Sequence, residues 1–157
     1  MLNVSKLAKR RQVRRRPRPR DRECVPMTQV QIWKSSPFTI ERKQGKAPGT
    51  VISRLCGPFT ARDMYGSLTP VDLHNMLDFQ SAPSEQLPAI SILDLTEVPY
   101  MDSTGLGMIV RHYVRCQGKG VRMIAAGVSP RVLALLKLTK MDAVIATTAT
   151  VEDADLP

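Results

Sequence analysis

Cysteine is the first shortage. Only Cys24, Cys56 and Cys116 occur in 157 residues, an odd count without any C-x-x-C spacing. Such a set suits neither a disulfide framework nor a tetrahedral zinc site, and reads as free thiols in a reducing compartment. Histidine is scarcer still, at two residues. His74 has no second His or Cys at ligand distance and reads as an exposed helix residue. No apolar run approaches the length of a membrane span. The basic N-terminus lacks the apolar core that a secretory signal needs. The expectation is a cytoplasmic protein with no membrane insertion, no metal and no cofactor.

Acidic charge is missing from one end. Residues 1–25 hold ten Lys/Arg against Asp21 and Glu23, a balance of +8, whereas the rest carries 13 basic and 12 acidic residues. The net charge of +9 therefore belongs to an arm. With Pro17 and Pro19 among its arginines and little apolar surface to bury, residues 1–28 read as a disordered basic tail and residues 29–157 as one folded domain. A polyanion-binding arm, giving weak nucleic-acid contact, is one reading. The arm contains no interleaved aromatic residue, which argues against a stacking platform for single strands. Met27 as the true start is another.

What is present is an alternation of strand and helix signals. Gln29–Trp33 is a short lead-in, with Trp33 covering an edge of the fold. Phe38–Arg42 and Thr50–Cys56 read as strands joined through Gly45-Lys46-Ala47-Pro48-Gly49. Thr69-Pro70-Val71-Asp72 opens a helix continued by Leu73, Met76 and Leu77. Ile90–Leu95 is a strand, Val121–Ala126 another, and Ala143–Ala146 a short last one. Ser129-Pro130 opens a helix whose apolar surface comes from Val132, Leu133, Leu135, Leu136 and Leu138. A terminal helix starting at Val151–Ala154 would be very short or missing. The order β-β-α-β-α-β-α-β implies an α/β fold: a central mixed, mostly parallel sheet flanked by helices.

The chemistry-bearing stretch is Asp102-Ser103-Thr104-Gly105-Leu106-Gly107. It joins the strand before it to a helix whose apolar stripe is Leu106, Ile109, Val110, Tyr113 and Val114. Asp102, Ser103 and Thr104 fall in the N-cap region, where negative charge is favoured. Gly105 and Gly107 leave the first turn bare, so another molecule can approach the backbone. Met108, Arg111, His112 and Arg115 lie opposite the stripe, and an exposed Met among basic residues suits a contact surface. A hydrolase triad of Asp102, Ser103 and His112 fails: His112 is nine residues on, roughly 13 Å along the axis. Position 110 is Val, so no dinucleotide fingerprint exists either.

Pro99 to Gly107, following Ile92-Leu93-Asp94-Leu95, closely resembles the phosphorylation-site segment of bacterial anti-sigma factor antagonists, the STAS-domain proteins of partner-switching pathways. The resemblance runs from about Phe38 to the C-terminus and includes Ala126-Gly127-Val128-Ser129-Pro130. It implies a STAS-like fold and a non-enzymatic module. The unphosphorylated form binds an anti-sigma factor, a serine-protein kinase of the histidine-kinase-like ATPase fold, and so releases the sigma factor. Phosphorylation of Ser103, with Thr104 the second candidate, ends that binding, and a serine phosphatase resets it. ATP belongs to the kinase, so the chain itself takes no cofactor. The expected partner-binding residues are Asp102, Ser103, Thr104, Gly105, Gly107, Met108, Arg111 and Arg115. Where the family often carries a G-E-L-D turn this chain has Gly57-Pro58-Phe59-Thr60, without the acid. Other readings are a structural STAS subunit of a stress-signalling scaffold or lipid-transport complex, or nucleic-acid binding through the tail.

Overall fold

Short apolar segments bounded by turn residues pair into a six-stranded sheet in sequential order. The computed structural model describes residues 31–35, 38–64, 77 and 87–156. The strands are β1 (Gln31–Ser35), β2 (Phe38–Gln44), β3 (Thr50–Cys56), β4 (Ile90–Glu97), β5 (Arg122–Ala126) and β6 (Ala146–Thr148). β1, β2 and β3 form an antiparallel meander, and β3 to β6 run parallel. The helices are α1 (Ala61–Met64), α2 (Ser103–Gly118), α3 (Pro130–Leu138) and α4 (Val151–Ala154), with a 3-10 turn at Met141–Ala143.

The period-two alternation of the strands divides the core. Ser53, Leu93 and Ala125 lie side by side across β3, β4 and β5. Leu93 and Ala125 belong to the larger cluster, with Phe38, Ile40, Leu55, Phe59, Ile109 and Leu136. The next row, Ile52, Ile92 and Ile124, faces the other way. There it packs with Ala126 and with Ala154 of α4. β4 is buried from Ser91 through Leu95, as a central parallel strand covered on both faces must be.

Three expectations need correction, and one short helix was not foreseen. Of the expected lead-in, Gln31–Trp33 belong to a strand, β1, in which Trp33 pairs with Ile40; Gln29, Val30 and the Trp33 side chain lie outside what is described. The last strand starts at Ala146 rather than Ala143, because Met141–Ala143 closes a 3-10 turn and Ile145 takes the buried position before it. Leu138 is 82% exposed, while Val132 and Leu136 carry the buried face of α3. The Gly57–Thr60 turn leads into a short helix, capped by Thr60 and Asp63: each side chain binds the other, and the Asp63 N–H donates to the Thr60 hydroxyl. The helix start at Thr69 and His74 lie outside the described residues, as does the tail; Leu77 is helical and buried.

The chain's end is tied to the hairpin. Asp155 follows α4, is 6% exposed, and accepts the Lys46 and Ala47 N–H groups at 2.7 and 3.1 Å.

Candidate functional site

After β4 the chain turns at Val98, whose N–H donates to the Leu95 carbonyl at 2.9 Å, and then pairs once more. Met101 bridges Phe59 in parallel, the Phe59 N–H donates to the Tyr100 carbonyl at 3.0 Å, and the Asp102 N–H donates to the Phe59 carbonyl at 3.3 Å. The segment before the helix is thus pinned to the turn after β3.

Asp102 then starts α2. One carboxylate oxygen accepts the Thr104 and Gly105 N–H groups at 2.9 and 3.0 Å, and the other accepts the Ala61 N–H at 2.9 Å. A single side chain therefore satisfies the first donors of two helices. Ser103 is the first residue of α2 and is exposed, with no hydrogen bond to its hydroxyl among the described residues. Thr104 is half-buried.

The two glycines differ. A Cβ on Gly105 would collide with the Phe59 carbonyl oxygen and crowd its ring, whereas one on Gly107 would meet nothing within 4 Å. The molecule that approaches Gly105 is the chain's own turn, so this glycine is a packing requirement and not an open door. Gly107 alone keeps the helix surface bare.

The helix phase also departs from expectation. The buried face is Gly105, Leu106, Met108, Ile109, His112 and Cys116, while Val114 is 60% exposed. Met108 sits in the core at 7% exposure, so the exposed-methionine argument falls. Arg111 is exposed and Arg115 half-buried. His112 is buried because the sheet offers it a partner: its Nε2 lies 3.0 Å from the Ser91 hydroxyl and 3.5 Å from the Cys116 sulfur. Burial, reinforced by the nearby Arg42 guanidinium, lowers its pKa to about 4. Burial pushes the Cys116 thiol up to about 11, leaving an inert thiol. Ser91, His112 and Cys116 are all buried, so the group reads as part of the core.

At the neighbouring strand ends, Arg54 donates to Asp94 at 2.9 Å. Burial raises the Asp94 pKa, but hydrogen bonds from Thr96 and Arg54 outweigh it and the net shift is downward. Arg131 of α3 lies 5.8 Å from the centre of the Tyr100 ring, and the Ser129 hydroxyl donates to the Pro99 carbonyl at 3.4 Å. α3 is thereby attached to the segment that carries Ser103. Sequence reasoning passed over Arg131 and Tyr100. Their only signal was position: Tyr100 precedes Asp102 closely, and Arg131 follows a Ser-Pro helix start.

Among the described residues no helix is long and apolar enough to cross a membrane, and no three His, Cys, Asp or Glu gather as metal ligands.

A family model described as STAS domain matches residues 46–154. An anti-sigma-B factor antagonist of Listeria monocytogenes is 38% identical over 53 residues, which are 34% of this chain and 46% of that protein. The aligned segment thus spans about half of that relative's length. Among solved structures, an anti-sigma factor antagonist from Mycobacterium paratuberculosis superposes with a TM-score of 0.57 at 19% identity, covering 74% of this chain and 90% of the other. A sulfate transporter family protein from Wolinella succinogenes gives 0.55 at 21% identity, covering 69% and 83%. At such identities the two structures speak for the fold.

Proposed function

The chain belongs to the STAS domain family, and on that premise we propose that it is an anti-sigma factor antagonist switched by phosphorylation of Ser103. Its unphosphorylated form captures an anti-sigma factor that is a serine-protein kinase with a histidine-kinase-like ATPase fold, and the sigma factor is released. The kinase spends ATP on Ser103, the complex dissociates, and a serine phosphatase restores the hydroxyl. The chain itself catalyses nothing in this cycle. The name of the Listeria relative supports the reading.

The observation that carries it is the division of labour between Asp102 and Ser103. The Asp102 carboxylate already holds the Thr104 and Gly105 N–H groups. Those are the donors that would otherwise draw in an anion at a helix start. A phosphate on the exposed Ser103 is left facing outward beside a carboxylate, where a docking partner meets it. It brings about −1.5 to −2 charges at pH 7. The fold remains intact because no buried contact of the described residues involves the hydroxyl. An unpaired charge at an interface costs about 2–5 kcal/mol, which is roughly one to three orders of magnitude in affinity.

The test mixes the chain with a kinase-type anti-sigma factor and ATP, maps the phosphate by mass spectrometry, and measures affinity before and after. Ser103→Asp imitates the released state in part, and Ser103→Ala binds but is not released. A phosphate confined to another residue, or unchanged binding with Ser103 fully modified, refutes the switch. Recovery of scaffold or transport subunits in place of an ATPase from cell extract makes the chain a structural STAS subunit instead.

A further inference from the structure

Tyr100 and Met101 face α3 across a groove of about 520 Å³, whose other wall is Arg131, Ala134, Leu135 and Leu138. The helical positions follow from spacing: residues 131, 134, 135 and 138 share one face of a 3.6-residue helix. That face is only partly turned from the core: α3 buries Val132 and Leu136 in it, and Leu135, like Met101 opposite, packs against it while staying half-open to the groove. It leaves apolar surface bare, with Leu138 at 82% exposure and Tyr100 at 41%. Among the described residues of the lining, Arg131 carries the one charge, its guanidinium held near the Tyr100 ring. Lys137 stands exposed in the last turn of the same helix, and Lys140 just beyond its end.

We propose that this groove is the second half of the docking surface, and that it takes an acidic, amphipathic segment of the same anti-sigma partner whose other contact is Ser103. The proposal rests on the antagonist reading above. Continuity favours this occupant. Met101 lies two residues before Ser103, and the Ser129–Pro99 hydrogen bond fixes α3 to the same loop. A partner seated on Ser103 therefore reaches the groove without leaving the protein. Charge favours it too. A carboxylate meets Arg131 while apolar side chains cover Leu135 and Leu138. The chain's own residues 1–25 carry +8 and are repelled by this basic rim, and a second copy presents the same rim to itself.

Two parts of one interface then have separate roles. Ser103 decides whether the complex survives, and the groove supplies affinity that phosphorylation does not touch. Buried apolar anchors beside a paired Arg are the usual carriers of binding energy.

The experiment uses the full chain and the kinase-type anti-sigma factor. Leu138→Asp and Arg131→Glu are each measured for melting temperature, affinity and rate of Ser103 phosphorylation. Because both side chains are exposed, melting should stay within a degree or two of the parent. Affinity should fall tenfold or more in each, with phosphorylation slowed at subsaturating kinase. A Glu→Arg or Asp→Arg change in the partner should restore binding to Arg131→Glu. If both variants bind like the parent while Ser103→Asp does not, the groove is not part of the interface and the switch stands. If the parent chain binds no such kinase, both readings fall together. Self-association of the parent that Leu138→Asp abolishes, with kinase affinity unchanged, assigns the groove to a second copy and overturns the proposal.

Discussion

The Asp102 carboxylate receives three backbone N–H groups from two helix starts, and truncating it leaves all three short of a partner. Loss of an N-cap typically costs about 0.5–2 kcal/mol, and the Ala61 donor adds to that. Asp102→Ala should therefore lose about 1–3 kcal/mol in urea unfolding, while Ser103→Ala stays within about 0.5 kcal/mol of the parent. Equal midpoints would deny Asp102 its structural part. His112 gives a second residue-scale expectation. Its folded pKa of about 4 lies below the ordinary 6.5, so the fold holds the neutral ring. Its contribution is complete above pH 6.5 and is lost as pH falls from 6.5 towards 4, where the unfolded chain binds the extra proton. At 1.36 kcal/mol per pKa unit this amounts to about 3 kcal/mol. His112→Gln should flatten the stability–pH curve in that window; parallel curves would mean that the ring is not held neutral.

At the scale of the element, α2 shows what the sequence could and could not disclose. Its start was legible as a cap region of Asp102, Ser103 and Thr104, because all three side chains can accept from helix N–H groups; that Asp102 is the cap came from the structure. Its phase was not. A stripe read from side-chain type favours Val114 and passes over His112 and Cys116, although positions 105, 109, 112 and 116 share a face. The missing information was on another strand: Ser91, a lone hydroxyl in an apolar run, makes it acceptable to bury an imidazole opposite. Gly105 was misread for the same reason, since the Phe59 turn that closes on it lies 46 residues away in the chain. The glycine pair separates the two readings of the helix. Gly105→Ala should cost about 1–3 kcal/mol, the usual penalty of overpacking. Gly107→Ala should be neutral or gain up to about 1 kcal/mol from helix propensity. If Gly107 faces the partner, the same change weakens capture despite the firmer helix. Similar losses of stability in both would show that the packing assigned to Gly105 is wrong.

For the whole molecule, the strands from β2 on and the helices at Ser103, Pro130 and Val151 were visible because periodicity is local, and the mixed sheet followed from them. β1 was not, since Gln31–Ser35 mixes polar, charged and apolar types without a strand signature, and its pairing with β2 is set by register with a neighbour. Nor was the link that closes the fold. Asp155 looks like one more acid near the end of the chain, yet it is buried and binds Lys46 and Ala47, 109 and 108 residues earlier. Two features make this link more than decoration. Ala47 is itself buried, so its N–H cannot turn to water instead. The space is also filled closely, because a Cβ on Gly45 would lie 2.5 Å from the Asp155 carboxylate. A hydrogen bond to a charged group contributes about 1.5–3 kcal/mol, and a stranded buried donor costs about 1–3 kcal/mol. Asp155→Ala should thus lower stability by about 2–4 kcal/mol, summed over one buried and one half-open donor. Asp155→Asn, which keeps one acceptor oxygen, should recover part of the loss. Because the link joins the β2–β3 hairpin to α4, both variants should still unfold in one transition, with hydrogen exchange speeding up at Lys46, Ala47 and α4 together. Exchange that quickens at α4 alone, with the hairpin as protected as before, would show that the hairpin holds its loop without help from the chain's end.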